Sequence, residues 1–439
     1  MKSDIAAALE LARDTEELII DHGAIDQVAG LFTKHFGDAE AVVVADQNTY
    51  EAAGRLVHQA LWDTGHTRLA PLVFPGEPRL VADLRRAVEV EEFLPHDKVI
   101  IVAVGAGTIN DICKLAAYRM SKPYMSVATA ASMDGYASAN APMVIDGFKH
   151  SLPCAAPLVV VADYDVLAKA PSFLAAAGYG DLLGKITSGA DWILADSLGI
   201  ESIDDTAWDM VQPRLDEWLG DPDAVAAGVP EVIAGLLEGL TMSGLSMQYL
   251  ISSRPASGSE HQICHLWEMQ GVEWEGEHVP HGFAVGMGTI ASAAVYEKLL
   301  NMDVASLDIS EVVGGWPSKS AVEAGVRQAI KNPEMLDRAI EETLAKYLSP
   351  SELRDRLEMV RTNWSDLVVR LRAQLQPSAT IEEKLRRAGC PTLPQAFGLS
   401  WEDMRTSVDL ARLVRRRYTV LDLAEEMGVF SSIVGGLFP

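Results

Sequence analysis

Three of the chain's ten histidines, His261, His265 and His281, fall in one segment, residues 252–288. Gly258-Ser259-Glu260-His261 reads as a turn entering a helix. His265 follows His261 by four residues, so both rings project from one helical face. His281 follows a polar loop and precedes Gly282, Gly286 and Gly288, where a second helix can pack closely. Imidazoles so placed bind a metal or relay protons; a structural histidine cluster is the bland alternative. Cys264 lies between the first two histidines but off their face. The four cysteines, Cys113, Cys154, Cys264 and Cys390, are scattered with no C-x-x-C, which indicates neither a disulfide framework nor a zinc knuckle.

A chain of 439 residues exceeds one ordinary core and predicts two domains. With 36 basic and 62 acidic side chains the formal charge is −26, which argues against binding nucleic acid or an anionic membrane by bulk charge. An anionic substrate therefore needs local cations, helix N-termini or a metal. The N-terminus carries acids throughout and lacks the basic head of a signal peptide. No apolar run is long enough to span a bilayer. A cytoplasmic protein without membrane insertion or nucleic-acid partners is expected.

The first third alternates apolar runs with helical patterns, the signature of an α/β domain with a parallel, Rossmann-like sheet. Residues 4–20 read as a helix. Strands are expected at 40–46, 69–74, 99–104, 124–128 and 158–162. The strand at 99–104 runs into Gly105-Ala106-Gly107-Thr108-Ile109 and a helix. A strand, a glycine turn and a helix N-terminus suit an anion such as a phosphate, although such turns also carry glycine for steric reasons. The strand at 124–128 ends in Thr129-Ala130-Ala131-Ser132-Met133-Asp134, small hydroxyl residues where open α/β sheets bind ligands, or a helix cap. Asp46 ends the first of these strands, where an acid commonly binds the adenosine ribose.

Beyond residue 165 the strand pattern stops and helices follow, one of them spanning 401–427. The basic run Arg412, Arg415, Arg416 and Arg417 is placed in that helix and reads as a solvated or salt-bridged face. Asp181 precedes an apolar helix and is either a cap or a functional acid. The expected domains are residues 1–172, α/β and nucleotide-binding, and residues 173–439, all-helical.

Gly105-x-Gly107…Asp111, Thr129-x-x-Ser132-x-Asp134-Gly, Gly180-Asp181-Leu, Ser-Arg-Pro-Ala-Ser-Gly-Ser-Glu-His261 and His281-Gly occur here in one chain. This combination resembles the sn-glycerol-1-phosphate dehydrogenases, within the dehydroquinate synthase-like and iron-containing alcohol dehydrogenase superfamily. The resemblance runs from about residue 39 to 428. It implies a dehydroquinate synthase-like fold with metal ligands at Asp181, His261 and His281. It implies NAD or NADP contacts at Gly105, Ala106, Gly107, Thr108, Ile109, Thr129, Ala130, Ala131, Ser132 and Ser138, and substrate contacts at Asp134, Asp181 and His265. Ala106 stands where the family has a middle glycine. The interval from His265 to His281 carries an acidic insert, residues 273–278, which makes His278 a competing candidate for the second histidine ligand. An iron-type alcohol dehydrogenase is expected to carry a histidine where Lys185 stands, and dehydroquinate synthase a glutamate in place of Asp181.

The activity so implied is metal-dependent, reversible reduction of dihydroxyacetone phosphate to sn-glycerol 1-phosphate, a step of phospholipid metabolism. One divalent ion, zinc or nickel, polarises the carbonyl, and Asp134 or His265 relays the proton. Asp46 weakly favours NAD over NADP. Arg254, Lys149 and Lys185 are the candidate cations for the substrate phosphate. The apolar C-terminal helices make a homodimer or higher homo-oligomer the expected assembly. Three other readings remain open: a dehydrogenase of the same fold acting on another phosphorylated or polyol substrate, a dehydroquinate synthase-like cyclase, and a nucleotide-binding protein without catalysis.

Overall fold

Val99 to Gly105 are buried without a break, so this strand must be covered on both faces. In the computed structural model, which describes residues 2–95, 98–145 and 148–438, it is central to a six-stranded sheet. The strands are β1 (Glu17–Asp21), β2 (Glu40–Asp46), β3 (Leu72–Phe74), β4 (Val99–Gly105) and β5 (Met125–Ala128). After a hairpin of β6 (Asn140–Ile145) and β7 (Phe148–Pro153) comes β8 (Val159–Asp163). The sheet order is β1-β8-β5-β4-β2-β3 and every pairing in it is parallel. Alternation along the strands serves two cores. Ala41, Val43, Ile100, Val102 and Val104 face one, with Val28, Phe32 and Val57. Val42, Val44, Ile101 and Ala103 face the other, with Ile112, Cys113 and Ala116.

The chain forms two compact units. The first runs to Leu182 and adds Thr206–Ser253 and Arg387–Gly389; the second comprises Leu183–Asp205, Arg254–Arg386 and the chain from Cys390 onward. The boundary expected after residue 172 separates types of element, whereas these units separate what packs together. The helix Pro230–Leu250 thus belongs with the sheet.

Two expectations are corrected. Residues 4–20 are not one helix: the helix Lys2–Leu11 ends, and β1 pairs with β8 at the sheet edge. The cause is a distant glutamine. Gln248 Oε1 accepts the backbone N–H groups of Arg13, Asp14 and Thr15 at 2.8, 2.7 and 3.2 Å, turning the chain out of the helix. Residues 401–427 are likewise two helices, Trp401–Ala411 and Val420–Glu426. A capping box between Thr419 and Asp422 starts the second helix, so the arginine run lies in the connection rather than on a helical face.

Candidate functional site

In the first unit the chain leaves β2 for β3 on one side and returns to β4 on the other. That reversal opens a crevice at the carboxyl ends of β2 and β4, the position where open α/β sheets bind ligands. Asp46 ends β2 and Gly105 ends β4. Gly105 is paired with Ala128 of β5, whose exit carries Thr129 to Ser132. The helix Gly107–Arg119 begins directly after β4, and its first N–H groups have no intrahelical acceptor. The close turn is enforced: a Cβ on Gly105 would lie 2.5 Å from Ile109 Cβ. Ala106 has φ −83° and ψ −167°, an extended conformation open to any residue, so the missing middle glycine costs no backbone strain here. A strand end, a glycine turn and an uncapped helix N-terminus fit a dinucleotide phosphate.

Some of the expected cofactor residues have structural duties too. Asp46 is the N-cap of the following turn, accepting from Thr49 N–H at 2.8 Å. Ser138 Oγ donates to Gly135 and Asn140 carbonyls and lies 3.4 Å from the buried Lys114 ammonium. Lys114 donates to the same two carbonyls at 2.6 and 3.0 Å, and burial lowers its pKa against the pull of Asp111. The sequence reading missed Lys114, whose place in an amphipathic pattern carried no signal.

Asp134 and Asp181 meet in this unit. The Asp134 N–H donates to Asp181 Oδ2 at 2.9 Å, and Ser243 Oγ donates to Asp134 Oδ2 at 2.9 Å. Asp181 is fully buried in the last turn of the helix Ser172–Leu183, not at its start. It therefore does not cap the helix that carries it; the N–H it accepts opens the turn Asp134–Ala137. The same helix approaches the loop after β5 so closely that a Cβ on Gly178 would lie 2.0 Å from the Ala131 carbonyl oxygen. Ser243 comes from the helix Pro230–Leu250, and its sequence context gave no hint of this contact.

In the second unit His261 and His265 lie on the helix Ser259–Gln270 and His281 begins the helix His281–Leu300. Ring centroids are 5.9 Å apart for His261–His265, 5.4 Å for His261–His281 and 6.3 Å for His265–His281. Gly288 permits the approach: its Cβ would lie 2.4 Å from the Glu260 carbonyl oxygen. His261 Nδ1 bonds Glu260 Oε1 at 2.8 Å, and His281 Nδ1 bonds Glu268 Oε1 at 2.9 Å. Such carboxylate contacts place the proton on Nδ1 and the lone pair on Nε2, the orientation of metal-ligating histidines.

Burial lowers the pKa of His261, with the Lys185 charge adding to it against Glu260. Burial, then the charge of Arg415, holds His265 well below its ordinary value. For His281 burial pulls down, but Cys264 and Glu268 outweigh it and raise the ring's proton affinity. The same negative potential favours any cation.

Cys264 is not remote from the cluster: its Sγ is 3.3 Å from His281 Nδ1. Cys264, Glu268 and His281 offer donor atoms within 4.8 Å of one another, a set the sequence reading did not predict. The signal for Glu260 and Glu268 lies in Glu260-His261 and His265-x-x-Glu268, carboxylates one residue before and three residues after a histidine. The acidic insert is a two-residue hairpin of Glu273–Trp274 and Glu277–His278, turned by Glu275 and Gly276 at φ 53° and 79°. His278 is exposed on this hairpin, whereas His261 is buried and His281 partly so.

Of the expected phosphate cations, Arg254 is fully buried and donates to Asp191 and Tyr418 carbonyls at 2.5 and 3.1 Å, with Glu201 at 3.4 Å. It is a structural strut. Lys185 is buried as well. The side chain of Lys149 lies outside the described residues. No helix among the described residues is long and apolar enough to cross a membrane.

The fold is that of the iron-containing alcohol dehydrogenases, a class of oxidoreductases whose sequence model matches residues 19–171. Among solved structures the chain is similar to maleylacetate reductase from Agrobacterium tumefaciens. That match has a TM-score of 0.59 and 14% identity, and covers 97% of this chain and 98% of that one. Curated relatives narrow the class. Glycerol-1-phosphate dehydrogenase [NAD(P)+] of Bacillus licheniformis is 36% identical over 65% of this chain and 71% of its own length. That of Geobacillus thermodenitrificans is 30% identical over 92% and 91%. The chain belongs to the glycerol-1-phosphate dehydrogenase family.

Proposed function

We propose that this oxidoreductase interconverts dihydroxyacetone phosphate and sn-glycerol 1-phosphate using NAD(H) or NADP(H). In this reading Asp181, His261 and His281 hold one divalent ion, zinc or nickel. The observation that carries it is that His261 and His281 each set Nδ1 against a glutamate carboxylate, which leaves Nε2 as the coordinating atom on both rings. One buried carboxylate and two imidazoles form a donor set suited to a catalytic ion with open positions. A bound ion supplies Lewis-acid polarisation of the carbonyl and the nicotinamide supplies the hydride.

The chain's own residues bind, orient and move the proton. Gly105 to Ile109, Thr129 to Ser132 and Ser138 seat the dinucleotide, with Asp46 toward the ribose, which favours NAD. Asp134, Asp181 and His265 contact the substrate. Asp134 is held by Ser243 and by its own N–H on Asp181, so its carboxylate has one orientation. Either it or the neutral His265 ring brings a proton through water to the C2 oxygen. The enzyme is taken to work in the cytoplasm as a homodimer or higher oligomer, which sedimentation would check.

The test is oxidation of both glycerol phosphate enantiomers with NAD and with NADP, with and without chelator. NADH or NADPH should appear with the sn-1 enantiomer alone and vanish with chelator. No turnover of either enantiomer by metal-loaded protein would overturn the reading, and a cyclase would show no net change in NADH. Asp181→Asn and His261→Ala should lose metal together with activity; full metal retention in either sinks the ligand assignment. His265→Ala should keep its metal and turn over poorly.

A further inference from the structure

The turn Asp134–Ala137 lies against the helix Pro230–Leu250, and one stretch of that helix holds it. Gly244 sets the distance. A Cβ there would lie 2.7 Å from the Asp134 carbonyl oxygen and 3.2 Å from the Ala137 carbonyl carbon, so only a residue without a side chain lets the two backbones meet. One residue earlier, Ser243 Oγ donates to Asp134 Oδ2 at 2.9 Å. One helical turn later, Gln248 Nε2 donates to the Ala137 carbonyl at 2.8 Å. The turn is thus fixed at both ends, its first residue by a serine and its last by a glutamine.

Gln248 is itself fixed from the other side. It is only 1% exposed. Its Oε1 accepts the N–H groups of Arg13, Asp14 and Thr15, and its Nε2 donates to Thr15 Oγ1 at 3.1 Å as well as to Ala137. Thr15 Oγ1 in turn donates to the Pro157 carbonyl at 2.8 Å, just before β8. The amide has one workable orientation: turned over, its NH2 would face three N–H donors and its oxygen the Ala137 carbonyl. Rotating the side chain away would strand several buried polar groups at once. The glutamine that bends the chain out of its first helix therefore also braces the Asp134 turn, and the edge of the sheet and that turn share one anchor.

We propose that Gln248 is a positioning residue for Asp134: by tying the Ala137 carbonyl to the segment Arg13–Thr15 it keeps the Asp134 carboxylate in the place where Ser243 holds it and substrate meets it. This rests on the reading of Asp134 as a substrate contact. Gln248 acts through the turn and not on the substrate. A carboxylate displaced by about 1 Å loses up to about 100-fold of its effect on a reacting atom. Ser243 and the Lys114 bond to the Gly135 carbonyl remain when Gln248 is changed, so the expected loss is smaller, about tenfold.

The experiment uses the full chain loaded with metal. Amide hydrogen exchange over residues 134–138 and steady-state oxidation of sn-glycerol 1-phosphate are measured for wild type, Gln248→Glu, Gln248→Leu, Asp134→Asn and the double variant of Asp134→Asn with Gln248→Leu. A carboxylate held by three N–H groups stays ionised, so Gln248→Glu keeps the acceptor for residues 13–15 and loses only the donor side. Both Gln248 variants should speed exchange over 134–138 about tenfold or more and lower kcat/KM about tenfold, with metal content unchanged. In the Asp134→Asn background the leucine change should cost less than about twofold, because the residue it positions is already disabled. A purely structural role would lower the urea midpoint and leave kcat/KM of the metal-loaded protein alone; that result overturns the proposal, as does an equal loss with and without Asp134. Should the leucine variant not fold, the glutamate variant is combined with Asp134→Asn in its place. If wild type oxidises neither enantiomer, the activity reading falls and exchange still decides the brace. Unchanged protection of residues 134–138 in Gln248→Glu then overturns it, and faster exchange upholds it.

Discussion

Glu260 is the residue through which the fold acts on the metal site, and its replacement by glutamine isolates that action. Its side chain is fully buried. Oε1 accepts the Gly258 N–H at 2.6 Å and His261 Nδ1–H at 2.8 Å, and Oε2 accepts Thr187 Oγ–H at 2.7 Å. Burial alone would raise its pKa, but these bonds and the His261 charge outweigh it and lower the value, so the group is a carboxylate. In Glu260→Gln the amide oxygen can keep the Gly258 and His261 bonds. The amide nitrogen then faces Thr187 Oγ1, which can accept while still donating to the Gly184 carbonyl. Shape and bond count survive; what is lost is the negative charge behind His261. A lost outer-shell carboxylate costs roughly 10- to 100-fold in metal affinity, about 1.4–2.7 kcal/mol. Glu260→Ala should be worse, because it strands the Gly258 and Thr187 donors at about 1–3 kcal/mol each. Zinc dissociation constants by chelator competition, beside urea unfolding of the apo proteins, separate the two effects. The linkage has a definite sign. A depressed carboxyl contributes stability above its unfolded pKa and loses it as pH falls through the folded value. The wild-type advantage over glutamine should therefore shrink below about pH 4.3. An unchanged zinc affinity in the glutamine variant would refute the role given to Glu260.

Asp191 is fully buried and accepts from Ser259 N–H, Tyr296 Oη–H and Val420 N–H at 2.7, 2.7 and 2.8 Å. Burial, then the Glu260 charge, pushes its carboxyl up from 3.8 to about 6, so folding favours the protonated form. Relative to Asp191→Asn, wild type should lose about 3 kcal/mol of stability as pH rises from about 4 to 6, by urea unfolding; parallel pH profiles would contradict this. Gly288→Ala puts a methyl group 2.4 Å from the Glu260 carbonyl oxygen, where only backbone can yield. It should cost about 1–3 kcal/mol and weaken zinc binding as the two histidine helices part; a neutral result on both counts would mean that the close approach is not needed.

What could be read along the chain was whatever depends on near neighbours. The continuous burial of β4 shows in six consecutive apolar residues before Gly105, and the glycine turn shows in the spacing that follows. His261 and His265 share a face by helical arithmetic alone. What could not be read depended on a partner hundreds of residues away. Residues 13–15 leave the helix because Gln248 takes their N–H groups, and nothing local foretells that. Asp181 looked like a helix cap; it lies instead in the last turn of its helix, where its carboxylate accepts the N–H of Asp134 from a distant loop.

The arginine run shows the limit most clearly. Arg412, Arg415, Arg416 and Arg417 are alike in sequence, and a solvated or salt-bridged face was a fair reading of all four. Arg412 and Arg416 do meet carboxylates, but those come from Glu425, Glu341 and Glu342, on two other helices. Arg417 finds a carbonyl. Arg415 is half-buried and meets neither a carboxylate nor a carbonyl at hydrogen-bonding distance among the described residues. Four residues alike along the chain thus come to differ by what other helices set against each of them, which no local pattern encodes.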